Sequence, residues 1–308
     1  MSTRIATVVV TFNPRMDQLL PLLQTLLEQT QRVFVVDNAS SSNWPQALPH
    51  VVSEQIHLHT NPANLGIGAA QNIGITLARE WGATHVLLCD HDSLPASDMV
   101  SQLMAALQRL EAQGQRVAAV GPCYTDERQN NPPPFLRIRG LRLQRQHPST
   151  GEVVQVEYLI ASGTLMPMPA INVVGGLNEC LFLDYVDLEW GLRASHKGWH
   201  CYGVFAAHML HRLGEEPIVF RGKRYMVHSP LRHYYMVRNA LWLYRQRGIN
   251  WRWKVIDFYR LVPRIAFYSL MARPRAAHFA MMMRGLRDGL LGRMGRFNSS
   301  GSDGETTA

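Results

Sequence analysis

The period of apolar positions changes several times along the chain, and each change marks an element. Ile5 to Thr11 is a β-branched run bounded by Asn13-Pro14, the pattern of an internal parallel strand buried on both faces. Leu19, Leu20, Leu22, Leu23, Leu26 and Leu27 then recur at helical spacing, which predicts a helix over 16–29 with one broad apolar face. Arg32 to Val36 is a second strand and runs into Asp37-Asn38. Strand, helix and strand in this order make a βαβ unit with a right-handed crossover. Ligands of such sheets lie outside the carboxyl ends of the strands, which puts Asp37 in reach of a nucleoside.

The same reading continues downstream. Residues 39–50 are a loop rich in Ser, Asn and Pro, and Gln55 to His59 is a short strand. Asn61 to Gly74 carries Gly66 and Gly68, which permit a tight turn before a helix near 69–80 whose N-terminus can receive a phosphate. His85 to Cys89 is a strand, 97–113 a helix and Arg116 to Gly121 a further strand. Residues 122–150, rich in Pro, Arg, Asn and Gln, form a long surface insertion and a candidate lid. Val153 to Ile160 returns the chain to the sheet, and Ala161-Ser162-Gly163-Thr164 is a small-residue turn, a candidate for close approach to a sugar. A helix begins near Asp187, His200 to Ala207 is strand-like, and 231–245 is helical. Beyond it, Trp251, Trp253, Phe258, Tyr259, Leu261 and Val262 interleave with Arg252, Lys254, Arg260 and Arg264. This suits helices lying in a membrane interface with snorkelling arginines, or packing on the body or on another subunit. Residues 298–308 have a disordered composition.

Charge sharpens the division. Residues 221–308 hold 17 Lys/Arg against 4 Asp/Glu, while the first 220 residues hold 14 against 19. A slightly acidic body therefore carries a basic tail region, suited to anionic lipid, nucleic acid or a phosphorylated ligand. No run reaches the roughly 18 apolar residues of a membrane span, and no signal peptide is expected. The four cysteines are scattered without a C-x-x-C, which speaks against a disulfide framework or a zinc site.

Chemistry concentrates in acidic clusters. Asp90 and Asp92 leave the strand at i and i+2, a pair suited to Mg²⁺ or Mn²⁺ beside a phosphate, or to a solvated capping turn. Asp184, Asp187 and Glu189 follow, with Asp187 placed to accept a proton from a hydroxyl and Trp190 a candidate sugar-stacking face. His208 and His211 are candidate completing ligands, and Arg232, His233 and Arg238 are candidate diphosphate contacts. A full G-x-G-x-x-G is absent, which argues against a nicotinamide reductase, and no H-E-x-x-H suggests a zinc protease.

Together these stretches resemble the inverting glycosyltransferases of family 2, with the nucleotide-sugar-binding GT-A fold, over about residues 5–240. Val8-Val-Val-Thr-Phe-Asn13 resembles the opening strand, Val36-Asp37-Asn38 the nucleoside-contacting acid, and Asn61 to Asn72 the loop that follows. Asp90-His-Asp92 matches the D-x-D element, and His211 a downstream metal-binding histidine. Asp187-Leu-Glu189 resembles the E-D-x-D region, whose second acid is the base, with Val186 in place of the first acid. Thr11-Phe-Asn-Pro14, Phe182 to Trp190 and Arg232 to Asn239 resemble bacterial rhamnosyltransferases of O-antigen and surface-polysaccharide assembly.

The resemblance implies an α/β GT-A domain over 1–230, with a donor half near 1–121 and an acceptor half near 150–230. A basic helical region over 231–297 and a tail over 298–308 complete the chain. It implies dTDP-β-L-rhamnose as donor and a polyprenyl-diphosphate-linked glycan as acceptor, at the cytoplasmic face of the membrane, with no nucleic acid. The donor contacts implied are Thr11, Asn13, Asp37, Asn64, Gly66, Asn72, Asp90 and Asp92. Asp90, Asp92 and His211 would hold Mg²⁺ or Mn²⁺, and Asp187 would be the base. Ser162, Gly163, Glu189, Trp190, Arg232 and Arg238 would face the acceptor or the diphosphate. The alternatives are a family 2 enzyme using UDP-GlcNAc, UDP-galactose or a GDP-sugar, and a non-catalytic nucleotide-sugar-binding protein. Retention of Asp90, Asp92, Asp187 and His211 argues against the last.

Overall fold

The first strand is buried on both faces, which explains the layering. Strand β1 (Ile5–Thr11) turns Ala6, Val8 and Val10 to one apolar core and Ile5 and Val9 to another, on opposite faces of the sheet. The computed structural model describes residues 2–48, 55–125, 135–147, 153–211, 218–220, 223–225 and 227–298. Helix α1 (Met16–Gln29) buries Leu19, Leu22, Leu23 and Leu26, the stripe expected from the sequence. It leads to β2 (Arg32–Asp37), then to a 3₁₀ turn at Trp44–Ala47 and β3 (Ile56–Thr60). Helix α2 (Ile67–Glu80) precedes β4 (His85–Asp90), and short β5 (Ser93–Pro95) precedes α3 (Met99–Ala112) and β6 (Val117–Thr125).

After β6, strands β7 (Phe135–Arg139) and β8 (Arg142–Gln146) form a hairpin inside the expected insertion; 126–134 and 148–152 lie outside the described residues. Then come β9 (Val153–Val156), β10 (Thr164–Pro167), α4 (Met168–Val174), α5 (Val186–His196) and β11 (His200–His211). A small ribbon, β12 (Ile218–Phe220) and β13 (Lys223–Tyr225), leads to α6 (Pro230–Arg245), α7 (Trp251–Met271) and α8 (Arg275–Leu291).

Among the described residues, nine strands make one sheet in the order β3-β2-β1-β4-β10-β6-β11-β5, with β9 on the flank of β11. Strands β1, β2, β3, β4, β6 and β11 run one way; β5, β9 and β10 run against them. The fold is thus α/β with a mostly parallel sheet, as expected. Several elements differ from the sequence reading, among them short β5 and α4, which it did not contain. The turn at 161–163 opens directly into β10, whose four buried residues are too few to show a period. Strand β9 stops at Val156, because Glu157 folds back and its carboxylate accepts from the Ile138 amide at 3.0 Å.

The C-terminal helices share a small core of Val237, Ala240, Leu261 and Met282, while Leu243 and Trp253 join the main core. Helix α8 rides close on α6: a Cβ at Gly285 would lie 2.5 Å from the Tyr234 carbonyl oxygen, which excludes any larger residue. Among the described residues no helix is long and apolar enough to cross a membrane. The tail from 299 onward, and Leu213-Gly214 after His211, lie outside the described residues.

Candidate active site

Three neighbouring parallel strands end at one edge. The register sets Thr11 beside Asp37 and Val10 beside Asp90, so β1, β2 and β4 deliver their last polar residues together. The Asp37 carboxylate is 3% exposed. It accepts from Thr11 Oγ1 at 2.8 Å, from the Ser40 hydroxyl and amide at 2.6 and 2.9 Å, and from Trp44 Nε1 at 2.9 Å. Burial alone would raise its pKa; these donors outweigh burial and hold it below the ordinary value. Three donors fill Oδ1, so a base would meet Asp37 through Oδ2. Asn13 ties the neighbouring loop by accepting from the Ser41 amide and hydroxyl.

The Asn-Gly loop is held from behind. Asn38 donates to Asn64 Oδ1 at 2.9 Å and accepts from Asn61 and the Leu65 amide. Gly66 has φ +87°, and a Cβ there would lie 2.6 Å from the Phe182 carbonyl oxygen. Asn72 is not at the edge: it donates to the Leu177 carbonyl and to Glu179, and accepts from the Leu177 amide. It pins the segment at Leu177 and Glu179 to α2, with both amide protons taken.

Asp90 and Asp92 meet His211 because β5 pairs with β11, setting His211 opposite Ser93. Alternation at the end of β11 turns Met209 and His211 inward and His208 outward, so only one histidine reaches the carboxylates. One ligand atom from each of Asp90, Asp92 and His211 falls within 4.8 Å of the others, and His211 Nδ1 lies 3.6 Å from Asp92 Oδ1. Two carboxylates and an imidazole suit a hard or borderline divalent cation. Desolvation raises the Asp90 pKa, opposed by His211. Ser162, an expected acceptor contact, is instead buried scaffolding. Its hydroxyl accepts from the Asp90 amide at 3.0 Å and lies 2.7 Å from Ser93 Oγ, itself 2.7 Å from His211 Nδ1. Gly163 likewise packs its Cα on Pro122 and donates its amide to Leu88.

Asp187 lies in the first turn of α5, where helix amides favour an anion. Its Oδ1 accepts from the Leu188 amide at 2.8 Å and its Oδ2 from the Ala161 amide at 3.2 Å. Desolvation nonetheless pushes its carboxyl up to about 6, with Asp90 and Asp184 adding to the rise. It borders a cavity of about 310 Å³ that also reaches Asp184, His228 and Arg232. Arg232 pairs with Asp184 at 2.9 Å.

Three expected acceptor contacts do not reach this cavity. Glu189 is buried and forms a two-pronged ion pair with Arg193 one turn on. Trp190 packs in the core and donates its indole N–H to the Gly175 carbonyl at 2.8 Å, so no sugar stacks on it. Arg238 is 1% exposed, with its guanidinium spent on the carbonyls of Gly295, Cys180 and Leu181.

The sequence reading missed what holds Asp187 in place. Phe182, Asp184 and Tyr185 all have positive φ, at 62°, 60° and 65°, a conformation costly for residues with side chains. Buried Asn239 clamps this turn, donating to the carbonyls of Leu181, Leu183 and Asp184 at 3.0, 2.6 and 2.9 Å. Tyr185 is tied to Asp257, which also accepts from Tyr244. The stretches Phe182 to Trp190 and Arg232 to Asn239 were visible as separate motifs, but nothing local links residues so far apart in the chain. Asn239→Ala is expected to cost about 2–4 kcal/mol, because buried carbonyls lose their donor. Urea unfolding measures this, and a loss under about 0.5 kcal/mol, the range of an ordinary surface change, would remove the clamp.

Residues 7–156 match the family described as Glycosyl transferase family 2. The chain is 32% identical over 252 residues to a dTDP-rhamnosyl transferase, RfbF, of Shigella flexneri, covering 81% of this chain and 82% of that protein. The chain belongs to glycosyl transferase family 2. A second relative, the N-acetylglucosaminyl-diphospho-decaprenol L-rhamnosyltransferase of Mycobacterium tuberculosis, is 25% identical over 243 residues, covering 68% of this chain and 76% of that protein. Among solved structures, S. aureus TarS 1-349 in complex with UDP-GlcNAc superposes with TM-score 0.56 at 16% identity, covering 94% of this chain and 81% of that one. GalNAc-T7 with UDP, GalNAc and Mn²⁺ superposes with TM-score 0.59 at 12% identity, covering 94% and 56%. At these identities the structures speak for the fold alone, and it is the GT-A fold expected for family 2.

Proposed function

We propose that this family 2 protein is an inverting rhamnosyltransferase, moving L-rhamnose from dTDP-β-L-rhamnose to a hydroxyl of a polyprenyl-diphosphate-linked glycan. The observation that carries the chemistry is Asp187, held by backbone amides alone while Asp184 and Asp257 of the same cavity are taken by Arg232 and by two tyrosines, beside a separate Asp90/Asp92/His211 cluster. The likeness to a dTDP-rhamnosyl transferase supports the donor, and the decaprenol-linked relative supports the acceptor class.

Asp92 and His211, with Asp90, would hold Mg²⁺ or Mn²⁺. Such a cation neutralises a diphosphate leaving group. Thr11, Asn13, Asp37, Asn64 and Gly66 shape the edge where the nucleoside binds. Asp187 takes the proton of the acceptor hydroxyl as that oxygen attacks C1 on the face opposite dTDP. The C1–O bond to the acceptor forms, the C1–O bond to phosphate breaks, and one displacement turns a β donor into an α-L-rhamnoside.

The protein works at the cytoplasmic face of a bacterial membrane, in O-antigen or surface-polysaccharide assembly. Exposed Phe258, Tyr259, Val262 and Leu270 on α7 and Phe279, Leu290 and Leu291 on α8 support peripheral contact with lipid. Arg252, Arg284 and Arg287 are exposed beside them. The test is a panel of nucleotide sugars offered with Mg²⁺, Mn²⁺ or EDTA and a lipid-diphosphate N-acetylglucosamine acceptor. Metal-dependent consumption of dTDP-rhamnose alone is expected. Consumption of UDP-GlcNAc, UDP-galactose or a GDP-sugar instead would overturn the donor assignment.

A further inference from the structure

The basic stripe of α7 does not point one way. Arg252 is exposed, and Lys254 donates to the Gln246 carbonyl at 2.6 Å. Arg260 and Arg264, one turn apart, are half-buried and turn inward, lining the same cavity as Asp187. Among the described residues neither guanidinium makes a hydrogen bond or an ion pair. The nearby acids are engaged elsewhere: Asp184 with Arg232, and Asp257 with the hydroxyls of Tyr185 and Tyr244. Two cations withdrawn from water, side by side and unpaired, are unfavourable until an anion arrives. Burial and the neighbouring Arg264 lower the Arg260 pKa, opposed by Tyr158, Asp257 and Tyr185.

We propose that Arg260 and Arg264, which line one cavity with Arg232, bind the phosphate groups of the acceptor. This deepens the function proposed above and rests on Asp187 as the base. Guanidinium groups recognise phosphate through paired N–H donors, which suits a diphosphate better than a bulk lipid surface. Asp92 and His211, which would hold the donor's cation, border a different cavity, of about 230 Å³, with Asp17 and Thr125.

Asp187 and the arginines line one cavity of about 310 Å³, open to solvent and bordered at Tyr158 and Arg260 by a second of about 500 Å³. Sharing one cavity, base and arginines favour an acceptor whose reacting hydroxyl lies on the sugar next to its phosphate. The reaction that supplies it is a sugar-phosphate transfer or a glycosyl transfer onto a phosphate carrier.

Calorimetry tests this on the full chain, with and without dTDP and Mn²⁺, using decyl diphosphate, inorganic diphosphate and glucose 1-phosphate as probes. The double variant R260Q/R264Q is expected to weaken decyl diphosphate about 100-fold, a factor of ten or more per charged hydrogen bond. Affinity for dTDP is expected to stay within about twofold, R252Q to bind like the parent, and R260K/R264K to recover most of the loss. Tighter binding of decyl diphosphate than of glucose 1-phosphate identifies a carrier-linked acceptor; the reverse order identifies a soluble sugar phosphate. No diphosphate binding by the parent, or equal loss of dTDP in the double variant, overturns the proposal. So does loss in R252Q matching that in the double variant on phosphatidylglycerol vesicles, with no separate loss of decyl diphosphate. Because the readout is binding, a wrong rhamnose assignment leaves it intact.

Discussion

Asp187→Asn lowers the rate of sugar transfer by about 10²–10⁴-fold, the range a general base contributes, while donor affinity stays close to that of the parent. The amide keeps the size of the side chain and, through its oxygen, an acceptor for the Leu188 or Ala161 amide, but cannot take a proton. Transfer at the parent rate would remove Asp187 as the base. Its pH profile carries the same information with a definite sign. The base must be a carboxylate, so kcat/KM of the parent falls about tenfold per unit below the raised value of about 6. Asp90 contributes to that rise. A cation that cancels the Asp90 charge removes this contribution, so the break in kcat, which reports the loaded enzyme, lies at lower pH.

The same substitution stabilises the fold at neutral pH. A carboxyl whose folded pKa is raised from 3.8 to about 6 favours the protonated protein. The penalty for ionising it grows as pH rises from about 4 to 6 and is then constant, on the order of a few kcal/mol. Asp187→Asn is therefore expected to melt higher than the parent at pH 8 and near it at pH 4. A variant that loses activity while gaining stability separates chemistry from misfolding.

Asp92→Ala, His211→Ala or chelation is expected to remove transfer by a comparable amount, on the order of 10³-fold, since charge stabilisation by a cation is worth several kcal/mol. Here donor binding falls together with rate, unlike Asp187→Asn. Mn²⁺ affinity, read by paramagnetic broadening or calorimetry, should drop in both variants. Metal binding at parental strength in both would remove the cluster as the cation site. His208→Ala, on the outward side of the same strand, is the control expected to change neither.

Most elements were legible because their signals are local. Helix α1 and strand β1 match the sequence reading residue for residue, since a broad Leu stripe and a β-branched run each have one period that buries them. The Asp90-His-Asp92 turn and the acid at the start of α5 were legible as chemistry for the same reason. Strand β10 was not, because its membership comes from the slot between β4 and β6 and not from its own four residues.

For the site, the chain itself determined which side chains carry chemistry; it could not determine which of them are free to use it. Trp190, Glu189, Arg238 and Asn72 have the right chemical types at suggestive spacings, yet each is consumed by a partner 15 or more residues away or one helical turn along. A buried polar group must be hydrogen-bonded, and tertiary packing alone says with what. Packing also chose His211 over His208 by strand alternation, and turned Arg260 and Arg264, of a stripe suited either to lipid or to packing, into the cavity of Asp187. Identity of a residue is written in one dimension; its unspent hydrogen-bonding capacity is decided in three.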